Sequence, residues 1–169
     1  MTDLIVTPDA TNPQRGHARL GAQTFACVLG RSGITTDKRE GDGATPIGRY
    51  VLRRVLYRAD RVAAPRTAFP ASAIARDDGW CDAPTDAAYN TPVKLPYPAS
   101  AENVWRDDHL YDVVVVIGHN DDPVKPFAGS AIFLHVATDN GDPTAGCIAF
   151  TRDDLLKILE SATAVDIRL

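Results

Sequence analysis

HVATDNGDPTAGCIAF, residues 135–150, begins on the histidine that closes the apolar run AIFLH and ends in the apolar run CIAF. Eleven residues separate His135 from Cys147, and Asn140, Gly141, Asp142, Pro143 and Gly146 among them are turn-formers. A loop of that composition returns the chain to a neighbouring strand. Both side chains then come within hydrogen-bond reach if they point to the same face of the sheet. Three readings compete: a nucleophile with its base, a pair of metal ligands, or two core residues. An imidazolium beside a thiol favours the thiolate, so such a pair is expected to be largely ionised near neutral pH. Gly146, lacking a Cβ beside the nucleophile, lets the backbone N–H groups of residues 145–147 turn inward as an oxyanion site. A metal would recruit His119 as well, but a spacing of His-x15-His-x11-Cys matches no compact zinc pattern, and no metal or other cofactor is expected.

Outward from this stretch the chain reads mainly as β. DLIVT, QTFACVLG, RYVLRRVLY, DVVVVIG and AIFLHVA are short β-branched or aromatic runs, each bounded by Gly, Pro, Asn or Asp. Val113 to Ile117 is apolar throughout, which predicts a central strand covered on both faces. VVVVIGHNDDP is not a dinucleotide fingerprint, because His119 and Asn120 follow Gly118 where a second glycine is needed. One helix is signalled by TRDDLLKILESA, with Thr151 as N-cap, Asp154 in the capping-box place and leucines at 155, 156 and 159 on one face. The VDIRL that follows reads as a terminal strand. Residues 63–103 hold six of the twelve prolines and show little periodicity. They predict a long ordered loop inserted into a single domain spanning 1–169, and such loops tend to be functional. Trp80, Asp82, Tyr89 and Asn90 within it are candidates to wall a cleft.

Composition narrows the function classes. With 22 Asp+Glu against 18 Lys+Arg, the chain has no global basic field for nucleic acid or an anionic membrane. Arginines 53, 54, 58, 61 and 66 read as a solvated strand and loop. Three cysteines without a C-x-x-C predict neither a disulfide framework nor a thiolate zinc cluster. Cys27 reads as a small core hydrophobe, and Cys81 as part of a pocket wall. The first residues show no basic-then-apolar leader and no run reaches membrane-spanning length, so the expected compartment is the cytoplasm, or the periplasm if an export signal has been removed. Oligomeric state is left open.

HVATDNGDPTAGCIAF resembles the active-site signature of the L,D-transpeptidase (YkuD-like) catalytic domain: a histidine, a short variable loop, then Ser/Thr-x-Gly-Cys. GDGATPIGRY, residues 41–50, is similar to that family's second signature, a Thr-Pro-x-Gly turn leading into a strand. The resemblance implies a β-sandwich-like fold with one C-terminal helix. It implies a cysteine acyl-transfer enzyme acting on peptidoglycan stem peptides, or soluble muropeptides, at the bond between an L-centred diamino acid and D-alanine. Carried onto this sequence, it makes Cys147 the nucleophile, His135 the base and the Val136 carbonyl the group that orients the ring. Gly146 with the Cys147 amide would form the oxyanion site, and Thr144 fills the Ser/Thr position. Ala145 stands where many members have a second histidine. Ala149 stands where many have an arginine, so another cation, Arg152 or Lys125, would have to meet a substrate carboxylate. With Thr144 and Ala145, the substrate-binding candidates are His119, Arg152, Trp80 and Tyr89; His119 reads equally as a structural turn histidine. Soluble fragments in the cytoplasm offer few acceptor amines, so the expected activity is an L,D-carboxypeptidase trimming tetrapeptide to tripeptide. The alternatives are an exported cross-linking transpeptidase and, in another class, a non-catalytic module that binds wall peptides.

Overall fold

Alternation along short strands sets which side chains share a face. The computed structural model describes residues 2–169. β1 (Thr2–Pro8) is followed by β2 (Arg15–Leu20), whose Gly16, Ala18 and Leu20 are buried while Arg15, His17 and Arg19 face water. Then come β3 (Gln23–Val28), the short β4 (Ile34–Thr35) and β5 (Thr45–Pro46), and the ten-residue β6 (Gly48–Tyr57). β7 (Ala71–Ala73), β8 (Asp78–Cys81), β9 (Pro92–Lys94) and β10 (Ala101–Asn103) precede β11 (Val113–Ile117), β12 (Phe133–Val136) and β13 (Ile148–Phe150). The helix α1 (Arg152–Leu159) and β14 (Ala162–Ile167) complete the order.

The main sheet runs β11-β12-β13-β3-β2-β1-β14-β6-β7, and β6 also pairs with β11. The expected sandwich is therefore joined at both sides into a closed circuit of eight strands, to which β7 adds an edge. β1 lies parallel to β14, and β12 parallel to β13. All eight circuit strands send apolar side chains into one inner core, among them Leu4, Phe25, Val115, Leu134, Ile148 and Val165, and Leu155, Ile158 and Leu159 of α1 join them. The helix begins as expected, with Thr151 Oγ1 accepting from Asp154 N at 3.2 Å and acidic residues in the first turn. No helix among the described residues is long and apolar enough to cross a membrane.

β11 is covered on both faces, as its unbroken apolar run predicts: Val113, Val115 and Ile117 face the inner core, Val114 and Val116 a second cluster. That outer cluster is where residues 63–103 depart from the expected loop. β7 extends the main sheet, while β8 pairs with both β9 and β10 in a small antiparallel sheet. Strands of three or four residues bounded by prolines are too short to display a period of two, which hid them. Gly79 lets the small sheet close, since a Cβ there would lie 2.7 Å from Leu95 Cδ2. Ile74, Trp80, Val104 and Tyr111 then pack over Val114, Val116, Phe133 and Cys147. Asn90 pins this wall to the main sheet: Oδ1 accepts from Trp80 Nε1 and Ala131 N, each at 3.0 Å, and Nδ2 donates to the carbonyls of His119 and Asn120.

Candidate active site

The parallel pairing of β12 with β13 puts Leu134 opposite Ile148 and His135 opposite Ala149. Leu134, Val136, Ile148 and Phe150 therefore point inward, and Phe133, His135, Cys147 and Ala149 lie on the outer face. Two distant stretches of one loop are thus brought side by side. His135 Nδ1 lies 2.8 Å from Val136 O. A carbonyl only accepts, so Nδ1 carries the proton and Nε2 keeps its lone pair. Tyr111 packs edge-on against the imidazole, 5.5 Å between centroids, and holds the ring's plane.

Cys147 is held just as closely. Its Sγ donates to Ala131 O at 3.2 Å and accepts from Phe133 N at 3.3 Å. Thr144 ties the approach: its hydroxyl accepts from Gly146 N at 3.0 Å and donates to Cys147 O at 2.7 Å. The Gly146 N–H is consequently occupied, and of the expected oxyanion donors the Ala145 and Cys147 amides are those without an acceptor among the described residues. Gly146 itself has φ +136°, and a Cβ there would lie 2.8 Å from Ala44 O, so only glycine fits under the loop that carries the second signature.

The electrostatics depart from the sequence expectation. Burial pushes the Cys147 thiol up to about 12, against a lowering by the Phe133 N–H. Burial likewise takes His135 down to about 4, with the Val136 carbonyl opposing. Cys147 is 7% exposed and His135 5%. Beneath the inserted wall neither charged form is well solvated, which disfavours the expected ion pair. No hydrogen bond joins the two side chains among the described residues.

Both nevertheless line one cavity of about 360 Å³, together with Thr144, Ala145 and Ala149. Asp82 reaches it from the inserted wall, and so do residues that the sequence reading passed over: Lys38, Glu40, Glu102, Arg31 and Arg106. Lys38 and Glu40 stand immediately before the second signature, the one signal that could have drawn attention to them. Other candidates lie elsewhere. Arg152 sits exposed in the first turn of α1 and lines a different cavity with His109 and Asp153, because the helix start turns it away from Cys147. Lys125 is on an exposed loop. Trp80 is buried edge-on against Phe133 at 4.9 Å, behind the cleft rather than in it. Tyr89 does not line the cavity; it donates its hydroxyl proton to Glu40, which does. His119 lines a third cavity with Trp80, so the three residues of the metal reading do not converge, and no group of three His, Cys, Asp or Glu among the described residues is placed to hold a metal ion. The His119 ring stands edge-on to Tyr50, its Nδ1 is buried without a partner, and burial lowers it to about 4.

The family model of the L,D-transpeptidase catalytic domain (YkuD) matches residues 14–167. No curated protein and no solved structure gives a match.

Proposed function

The chain belongs to the L,D-transpeptidase catalytic domain family, whose members act on peptidoglycan, and from that premise we propose that it is a cysteine L,D-carboxypeptidase trimming tetrapeptide stems to tripeptide. The observation that carries this reading is the His135 Nδ1 to Val136 O bond on the strand beside Cys147, which leaves Nε2 as a base in the nucleophile's own cavity.

In the reaction, substrate entering the cavity displaces the thiol from Ala131 O, and His135 Nε2 takes the proton as Sγ attacks the carbonyl that precedes D-alanine. The oxyanion accepts from the free Cys147 amide. His135, now imidazolium, returns the proton to the departing amine. D-Alanine leaves and a thioester remains on Sγ. Water, deprotonated by the same Nε2, attacks the thioester carbonyl, and the thiol leaves with the proton. Because the resting pair is neutral, the proton moves with the attack rather than before it.

Size supports water over an amine as the acceptor. A cavity of about 360 Å³ suits one peptide end, whereas cross-linking must seat two stems at once. The three cysteines are free and buried, which suits a reducing compartment, and the cytoplasm is the location we propose. Incubation with a soluble tetrapeptide stem, with and without a millimolar D-amino acid, tests this by mass spectrometry. Tripeptide and free D-alanine should dominate in both cases; exchange or dimer as the main product overturns hydrolysis in favour of a cross-linking enzyme. The neutral, unlinked Cys147 and His135 favour a second reading, a non-catalytic module that binds stem peptides. Saturable binding of the stem without turnover would select it.

A further inference from the structure

Lys38 is 8% exposed along its side chain, unusual for a lysine on a loop. The loop is built around it. Asp42 pairs with its Nζ while also accepting from Ala44 N at 2.9 Å and Arg39 N at 2.8 Å. The stem packs over Gly129 beside the His119 ring, for a Cβ on Gly129 would lie 3.0 Å from Lys38 Cε and 3.1 Å from His119 Cε1. At its end, Nζ lies 3.4 Å from where a Cβ on Gly146 would stand, against the peptide that precedes Cys147 and in the wall of the same cavity. A partly buried ion pair is seldom a gain in stability over apolar packing, so its retention calls for another use.

The charges around Cys147 supply one. Glu102 reaches the cavity from β10 bonded to Tyr111, and Glu40, bonded to Tyr89 and Ser130, lines it too. Negative charge on Sγ is opposed by Glu102 and by burial. Of the other cations in this wall, Arg31 lies over Gly43 with Nη2 donating to Gly41 O at 3.4 Å, and Arg106 is taken by both oxygens of Asp108 and bears on His135, where it opposes an imidazolium. His119 lies beside the lysine stem at Gly129, and Asp42 holds the ammonium. Lys38 is the cation beside the peptide of the nucleophile.

We propose that Lys38 is the electrostatic partner of Cys147: its ammonium, held by Asp42 against the Gly146–Cys147 peptide, stabilises the negative charge that develops on Sγ and on the oxyanion. This rests on Cys147 being the nucleophile, and Lys38 acts as a positioning charge rather than by proton transfer. The test is the alkylation rate of Cys147 by iodoacetamide in the folded protein between pH 6 and 10, read on the Cys147 peptide by mass spectrometry so that Cys27 and Cys81 are scored apart. Lys38→Met should slow alkylation at pH 8 about tenfold, as one unit of thiol pKa requires, and Lys38→Arg should stay within about threefold of wild type. Asp42→Asn, which removes the competing carboxylate and keeps the ammonium, should speed it severalfold. A purely structural loop would move both variants the same way, and that result, an unchanged Lys38→Met, or no alkylation of wild-type Cys147 overturns the proposal. Thermal unfolding reports whether Lys38→Met folds; if it does not, the sign of the Asp42→Asn effect decides. The probe needs no peptidoglycan, so opposite shifts without stem turnover would leave the Lys38 coupling standing while the carboxypeptidase reading fell.

Discussion

The two faces of the β12–β13 pair are a residue apart and differ in almost every physical respect. Inward, Leu134, Val136, Ile148 and Phe150 belong to the apolar core that the closed circuit shares with α1. Outward, Phe133 and Cys147 belong to an apolar cluster that carboxylates and cations interrupt at the cavity, and each polar group there is positioned by a named partner. The inner face holds the fold by burial and tolerates no loss of volume. The outer face is covered by a separate layer of short strands, and burial there disfavours the charged forms of Cys147 and His135. On the proposed function, alternate residues of this pair serve stability and chemistry.

The sharpest way to break this contrast is to remove the sulfur. Cys147→Ala should abolish release of D-alanine from a tetrapeptide stem, measured by mass spectrometry, while costing no more than about 1 kcal/mol of unfolding free energy in urea. His135→Ala should lower turnover by about 10²–10⁴-fold, the usual loss of a general base. One residue earlier the outcome inverts: Leu134→Ala should cost about 2–5 kcal/mol in the same urea titration, through the cavity it leaves in the inner core. If Cys147→Ala proved as destabilising as Leu134→Ala, the division of labour between the faces would fail.

Acidity probes the outer layer by itself. His135 and His119 are both held neutral by burial, at about 4 against an ordinary value of 6.5. The unfolded chain therefore takes up the protons first. The histidine contribution to stability is full above about pH 7, falls as pH drops through 6.5 towards 4, and levels below that, with a loss on the order of 2 kcal/mol for each histidine by pH 5. Urea midpoints at pH 7.5 and 5 measure the fall. His119→Phe should remove about half of it, since His119 lies outside the cavity of Cys147. Arg152→Ala, on a different cavity, should change turnover by less than about twofold and stability by less than about 0.5 kcal/mol.

Legibility in the sequence followed the same division. Period-two alternation, the apolar run of β11 and the Thr151 cap are local signals, and they located the mainly β fold, its buried central strand and its helix. His135 and Cys147 were legible because turn-formers between two apolar runs imply adjacent strands. Lys38, Glu102 and Arg106 were not. They reach the cavity from segments remote in sequence from Cys147, and their placement depends on pairings, β8 with β10 and the loop against Gly146, that no local pattern encodes. Arg152 was chosen for its nearness to Cys147 along the chain. A helix start rotates it out of the cleft, and the lysine that does line the cavity of Cys147 comes from more than a hundred residues earlier, at Lys38. The thiolate expectation left out burial for a related reason: burial is a property of what covers the pair, and the cover is the inserted wall.

Closure of the strand circuit has a consequence in time. β1 is completed by β14, whose Ala162 to Ile167 pairs with Thr2 to Val6, so β1 must wait for the last strand of the order. At about 5–20 residues per second on the ribosome that wait is on the order of ten to thirty seconds. Throughout it, β1, β2 and β3 can pair locally while β1 keeps an unmatched edge, a template for misassociation. Ribosome-bound chains stalled on an appended C-terminal linker should therefore stay sensitive to protease until the linker is long enough to carry residue 167 out of the exit tunnel, and then become resistant in a single step.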